Sequence, residues 1–283
     1  MKIAFIGGGN MAAALIAGLA GKLTPGANIH VVDPNPASLE ALQRQYGVTV
    51  AGSVADGGAA GAVAGAEVLV LAVKPQVMHE VTQQLLPLLQ AAKAAGRTPL
   101  LLSIAAGIRA ADLARWLGGY QAIVRTMPNT PALIGMGVTG MVASSGVSAA
   151  QRAAADQILR AVGATVWLDD ESQIDAVTAV SGSGPAYVFY FIEAMQQAAE
   201  ELGLTAEQGR QLAMATFTGA AQLAAQSPDP VPVLREKVTS KGGTTYAALT
   251  SMEASGVKAA IVSAVKAAAA RGKELGEQLG SAG

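Results

Sequence analysis

Lys2-Ile3-Ala4-Phe5-Ile6 runs straight into Gly7-Gly8-Gly9-Asn10-Met11-Ala12, and the reading of this stretch decides the fold. A short β-rich run opens on a glycine turn, and a helical pattern then continues from Asn10 to Lys22. The turn has the form G-x-G-x-x-A. Gly7 permits the tight turn, Gly9 lets the backbone approach a pyrophosphate, and Ala12 lets helix and strand pack closely. The phosphates would sit at the helix N-terminus, where free N–H groups and the helix dipole favour an anion. A second β-rich run, Asn28–Asp33, ends in a carboxylate. It lies roughly twenty residues past the turn, the spacing expected of an acid that bonds a ribose. Strand, glycine turn, helix and strand-end acid in this order point to a dinucleotide-binding βαβ unit rather than an ordinary glycine turn.

Working outward, the same alternation continues. Further β-rich runs fall at Val48–Val50, Glu67–Val73, Pro99–Ile104, Gln121–Met127 and Val138–Ala143, and helical patterns at Pro36–Tyr46, Pro75–Ala92, Ile108–Leu117 and Ala149–Val162. Alternation of this kind implies a parallel sheet with helices on both faces, an α/β Rossmann-type domain. Val68-Leu69-Val70-Leu71-Ala72-Val73 is apolar on both alternating faces, as a central parallel strand should be. After Ala164–Leu168 the β pattern stops and only helical patterns follow. The expected division is therefore 1–168 for dinucleotide binding and 169–283 for a helical domain. Val188, Ile192, Met195, Ala199 and Leu202 mark one apolar helix face, and Thr205 with Gln208 forms a capping box. This alanine-dense half has few large side chains per turn and is short of core material. Burial against a second subunit is the expected remedy, giving a homodimer through the helical half, with a monomer whose helices cover their own sheet as the alternative.

Composition narrows the chemistry. Hydrophobic residues make up 51% of the 283, charged ones 14%, and the net charge is −1. That balance leaves no electrostatic footprint for nucleic acid and no polybasic stretch for a membrane surface. There are no cysteines, which excludes disulfides, thiolate nucleophiles and cysteine metal sites. His30 and His79 are the only histidines, so a histidine metal cage or a serine–histidine triad has almost no raw material. A bound cofactor that carries the reactivity itself fits best, and no metal is expected. The uncharged runs Pro128–Gln151, Ala176–Ile192 and Gln211–Pro228 are each broken by Gly, Ser, Thr, Gln or Pro and read as buried elements rather than membrane spans. Met1-Lys2 leads directly into the first strand without a small-residue cleavage site, so a cytoplasmic location is expected.

Four more segments carry candidate chemistry. Ala72-Val73-Lys74-Pro75 ends the apolar strand, and strand C-termini at a switch point are where ligands bind in open α/β sheets. Pro75 suits the first helical position. Lys74 reads equally as a solvated lysine or a cofactor neighbour, and His79, one turn into the helix, reads as structural. Arg125-Thr126-Met127-Pro128-Asn129-Thr130-Pro131 is another strand-end loop, placed to meet the nicotinamide end of a cofactor, although a rigid turn would explain its prolines as well. Ser181-Gly182-Ser183-Gly184-Pro185 interrupts a helical region and offers another helix start. Val238-Thr239-Ser240-Lys241-Gly242-Gly243-Thr244-Thr245 strips side chains from the approach to a helix and places hydroxyls at its start. A small carboxylate could be held there by N–H groups and Ser240, with Thr245 donating to a reacting nitrogen. The plainer alternative is a threonine N-cap after a glycine loop.

Taken together, Phe5–Met11, Ala72–Gln76, Met127–Pro131, Ser181–Tyr187 and Val238–Thr245 resemble the pyrroline-5-carboxylate reductases over nearly the full length. The last segment looks like the family signature. The resemblance implies NAD(P)H-dependent reduction of a cyclic imine to L-proline, on a Rossmann domain followed by a helical dimerisation domain, with dimers assembling further, often into decamers. It implies substrate binding by Ser240, Gly243, Thr244 and Thr245, with Thr245 at the imine nitrogen. The candidate cofactor contacts are Ile6, Gly7, Gly8, Gly9, Asn10, Met11, Ala12, Asp33, Asn35, Ala72, Val73, Lys74, Pro75, Ala105 and Asn129. One departure is Lys241, where many members carry proline.

Rival readings are another imine reductase, a β-hydroxyacid dehydrogenase-like enzyme, and a non-catalytic dinucleotide sensor. Hydroxyacid dehydrogenases place a catalytic lysine on a helix after a glycine-rich turn, whereas Lys241 sits before the glycines. A sensor needs no second polar helix start. Between the cofactors, a carboxylate at Asp33 suits the 2′-hydroxyl of NADH and repels the 2′-phosphate of NADPH. No arginine follows until Arg44, although Asn35 or the backbone of the Asp33–Pro36 turn could accommodate the phosphate. NADH is therefore expected to be used at least comparably with NADPH.

Overall fold

The strands form where the short runs are apolar on both faces. The computed structural model describes residues 1–281. Its strands are β1 (Ile3–Ile6), β2 (Ile29–Val32), β3 (Thr49–Ala51), β4 (Val68–Leu71), β5 (Leu100–Ser103), β6 (Ile123–Met127), β7 (Gly137–Ala143) and β8 (Gly163–Trp167). They make one sheet in the order β3-β2-β1-β4-β5-β6-β7-β8. Alternate residues of a strand enter different cores. Ile3 and Phe5 join Leu15, Ile16, Val31, Val70 and Ile158, whereas Ala4 and Ile6 join Leu71, Leu85, Leu101 and Leu113. Successive side chains point to opposite faces, so the sheet is covered on both sides.

The covering helices are α1 (Asn10–Leu19), α2 (Pro36–Tyr46), α3 (Gly57–Gly65), α4 (Met78–Ala94), α5 (Ala110–Trp116) and α6 (Ala149–Arg160). α1, α2 and α6 supply the first core; α3, α4 and α5 supply the second. Three features depart from the sequence reading. α3 is a glycine–alanine run without apolar periodicity, recruited because Ala59 and Val63 fill the second core. β7 runs antiparallel to β6, since the link between Met127 and Gly137 is shorter than the roughly twelve residues a parallel crossover needs. The helix after β4 begins as a 3-10 turn, Pro75–Val77, before α4.

Beyond β8 come α7 (Gln173–Val177), a π-helical turn at Thr178–Gly182, α8 (Gly184–Glu201), α9 (Ala206–Gln226), α10 (Val231–Lys237), α11 (Thr244–Ala254) and α12 (Val257–Ser281). The chain forms two compact units, one of Met1–Ser183 with the stretch from Ala268 onward, the other of Gly184–Ala267. The first unit runs past Leu168 because α7 and the end of α12 pack onto the sheet domain. Glu171 accepts from the Ala110 N–H at 2.7 Å and from Arg125 at 2.8 Å, and Arg115 donates to the Gly280 carbonyl at 2.6 Å.

In the second unit the Thr205–Gln208 capping box is present. α8 and α9 approach closely enough that a Cβ on Gly209 would lie 3.0 Å from the Ala199 Cβ. Only Ile192, Gly209 and Ala213 are buried in this unit. Of the expected apolar face, Ile192 alone is buried, while Leu202 is 85% exposed. A unit of this size with three buried residues has no core of its own. Among the described residues no helix is long and apolar enough to cross a membrane.

Candidate functional site

The sheet register assembles one candidate site. Ile6 lies beside Val32 on one side and Leu71 on the other, Leu71 beside Ser103, and Ser103 beside Arg125. These strands are parallel, so the residues that follow them emerge along one edge. Between β1 and β4 the strand order reverses, which is the crevice position for a ligand.

Gly7 turns the chain there with φ +105°, and a Cβ on it would sit 2.6 Å from the Ala72 carbonyl oxygen. Only glycine fits that conformation and that approach. Ala72 holds the turn from the other side by donating its N–H to Ile6 O at 2.8 Å. Gly9 is the N-cap of α1, with no side-chain cap and no acidic residue in the first turn. A Cβ on Gly9 would meet nothing within 4 Å. The N–H groups of Asn10, Met11 and Ala12 thus open a helix whose positive end is neutralised by no cap or first-turn acid and whose approach is clear. Ala12 is buried beneath. These residues fit the pyrophosphate of a dinucleotide.

Asp33 lies beside this turn. Its Oδ2 accepts from the Gly8 N–H at 2.6 Å, and its Oδ1 from the Asn35 N–H at 2.8 Å. Asn35 in turn caps α2, its Oδ1 accepting from the Ala37 N–H at 3.1 Å. At the end of β4, Ala72 and Val73 are half-buried, Lys74 is exposed, and Pro75 opens the 3-10 turn. Ala105 is buried just past β5. Asn129, past β6, has both ends of its amide engaged: Oδ1 accepts from Val138 N at 2.9 Å and Nδ2 donates to Ser181 O at 3.1 Å. Its side chain ties the loop after β6 to β7 and to the π-helical turn, and its carbonyl accepts from Ala132 N at 3.1 Å. His79 lies edge-on to Trp116 at 5.2 Å, a packing contact.

The sequence reading missed the Arg125–Glu171 pair. Arg125 is 4% exposed within β6 rather than part of a loop, and its guanidinium meets Glu171 at 2.8 Å. A buried arginine needs such a partner. Glu171 also fixes the start of α5, as described above, so one carboxylate braces the loop that carries Ala105.

The other unit holds a separate candidate feature, the start of α11. α11 opens at Gly243 (φ −81°, ψ 178°) with no side-chain cap and no acidic residue in its first turn. Neither threonine caps it: Thr244 and Thr245 are its first two helical residues. Gly242 takes φ +73°, Gly243 N donates to Ser240 O at 3.0 Å, and the Ser240 hydroxyl folds over Gly243, where a Cβ would lie 2.6 Å from Oγ. Ser240 and Thr244 are exposed and Thr245 is half-buried. The uncapped N–H groups and three hydroxyls fit a small carboxylate.

Comparison with known proteins extends this picture. Residues 171–275 match the family model described as pyrroline-5-carboxylate reductase dimerisation, and residues 2–107 match one described as NADP oxidoreductase, coenzyme F420-dependent. A pyrroline-5-carboxylate reductase of Pseudomonas aeruginosa is 48% identical over 279 residues, covering 99% of this chain and 98% of that protein. Among solved structures, a pyrroline-5-carboxylate reductase from Coxiella burnetii superposes with TM-score 0.89 at 38% identity, covering 97% and 98% of the two chains. The Plasmodium falciparum pyrroline carboxylate reductase with NADP bound superposes with TM-score 0.82 at 28% identity, covering 98% of each chain.

Proposed function

The chain belongs to the pyrroline-5-carboxylate reductase family, and from that premise we propose that it reduces 1-pyrroline-5-carboxylate to L-proline with NAD(P)H, the last step of proline biosynthesis. The observation that carries the reading at the level of chemistry is the start of α11. It presents uncapped N–H groups beside Ser240, Thr244 and Thr245, with Gly243 as an N-cap that has no side chain of its own. A reductase of an amino-acid-like imine needs such a place for the substrate carboxylate.

In this reading Gly7–Ala12 cradle the pyrophosphate, Asp33 and Asn35 lie at the adenosine end, and Ala72–Pro75, Ala105 and Asn129 line the nicotinamide end. Bound NAD(P)H supplies the hydride for the imine carbon, and a proton completes the amine. Ser240, Gly243 and Thr244 hold the substrate carboxylate. Thr245 donates a hydrogen bond to the ring nitrogen as charge develops there. No nucleophile or metal enters the reaction, and catalysis rests mainly on orientation. The helical half from residue 169 forms a homodimer, which fits the absence of a core in Gly184–Ala267, and five dimers assemble into a decamer in the cytoplasm.

The test is oxidation of NADH and of NADPH by the purified protein with pyrroline-5-carboxylate, with a 3-oxo acid, and with no substrate. Turnover of the imine alone is expected. Turnover of the 3-oxo acid instead would favour a hydroxyacid dehydrogenase, and none with either compound would leave a dinucleotide sensor.

A further inference from the structure

The dinucleotide turn G-x-G-x-x-A leaves its second position unspecified, yet this chain has glycine there, Gly8. Gly8 is also the point where the turn touches the acid at the end of β2. A Cβ on Gly8 would lie 3.3 Å from the Asp33 Cβ and 3.4 Å from Val31 Cγ1, tighter than side chains normally approach. Without that Cβ, the Gly8 N–H reaches Asp33 Oδ2 at 2.6 Å, while Asp33 Oδ1 takes the Asn35 N–H at 2.8 Å. The register brings the two segments together, with Gly7 N donating to Val32 O at 2.8 Å.

We infer that Asp33 is a positioning residue for the glycine turn rather than a reader of the ribose 2′-position. An ionised carboxylate is acceptor-only, and hydrogen bonds to it are short and strong. Here one carboxylate clamps the Gly7–Gly9 turn to the Asp33–Asn35 turn before any cofactor arrives. The carboxylate oxygens face backbone N–H donors that offset their charge, so the 2′-position of either cofactor meets a partly neutralised group. NADH and NADPH are then handled alike, and loss of the clamp weakens both. The binding consequence rests on the reductase reading above; the clamp itself does not.

The experiment therefore has two arms. The first is hydrogen–deuterium exchange of the cofactor-free full-length dimer, comparing wild type with Asp33→Asn and Gly8→Ala. In Asp33→Asn one N–H would face the new amide's own N–H donors, so the peptide containing Gly8 should exchange faster, while the β5 peptide Leu100–Ser103 stays unchanged as a control for global unfolding. Gly8→Ala should move the same peptide less, because a shift of a few tenths of an ångström relieves it. The second arm is equilibrium titration of NADH and NADPH by cofactor fluorescence. Loss of one hydrogen bond should weaken both, by roughly fivefold, with their ratio little changed. Unchanged exchange at Gly8 would overturn the clamp. Weaker NADH binding with tighter NADPH binding would overturn the inference by making Asp33 a ribose reader. Failure of wild type to bind either cofactor would instead refute the reductase reading, and the exchange arm would still judge the clamp.

Discussion

α1 and α11 begin in nearly the same way and end up in different circumstances. Gly9 has φ −71° and ψ −178°, Gly243 has φ −81° and ψ 178°, and neither helix has a side-chain cap or an acidic first turn. Both helix starts fit an anion. α1, however, buries Ala12, Ala14, Leu15, Ile16, Gly18 and Leu19 against the sheet, whereas α11 buries no residue within its own chain. The local backbone leaves an uncapped, positively polarised helix start in each case. Packing decides whether that start is rigid in a lone subunit, as for α1, or must be held by a second subunit, as we infer for α11.

The largest expected effect breaks the rigid member of the pair. Gly7→Ala sets a Cβ 2.6 Å from the Ala72 carbonyl, backbone against backbone, at φ +105°. It should lose roughly 2–4 kcal/mol of stability and weaken cofactor binding with it, read by thermal unfolding and by cofactor titration. A variant with unchanged midpoint and affinity would show that the turn is not held by Ala72.

Thr245→Ala strikes the other helix start without touching a packed core. The residue is half-buried and sits in the first turn of α11. Turnover of the imine should fall on the order of 100-fold, as when a transition-state hydrogen-bond donor is removed, with cofactor affinity and melting temperature nearly intact. Unchanged steady-state rates would take Thr245 out of the reaction. The comparison is sharpened next by dilution. If α11 relies on a partner, the unfolding midpoint should fall with protein concentration, since each tenfold dilution costs the dimer about 1.4 kcal/mol. A concentration-independent midpoint would mean that the helical unit stands alone.

What could be read from the sequence follows the same division. β1, β4 and β5 were legible because residues such as Phe5, Val70 and Leu101 are apolar on both faces, a pattern set by burial between two layers. The Gly7–Ala12 turn was legible because its spacing answers to one local geometry. α3 was not, since glycine and alanine carry no periodicity and its placement depends on the core it fills. Spacing put a carboxylate at Asp33 but could not say which way it turns, and the Arg125–Glu171 pair joins segments far apart in the chain. For α11 the sequence left open a threonine cap or an open helix start. The structure gives the cap position to Gly243, which has no side chain with which to fill it.

The smallest effect probes how dry the sheet behind α1 is. His30 lies in β2, 8% exposed, with Nδ1 2.8 Å from Thr49 Oγ1 and Nε2 buried without a partner. Burial holds its imidazole below the ordinary value. As pH falls through about 6.5, the unfolded chain takes up a proton that the folded chain refuses until lower pH. The unfolded state then binds more protons, so this contribution to stability is complete above the unfolded value and is lost as pH drops below it. The melting temperature of wild type should therefore fall more between pH 7.5 and 5.5 than that of His30→Gln, measured at one protein concentration so that dimer dissociation contributes equally. Equal losses in the two proteins would mean that water reaches this edge of the sheet. The rigidity of α1 would then rest on the clamp and the first core alone.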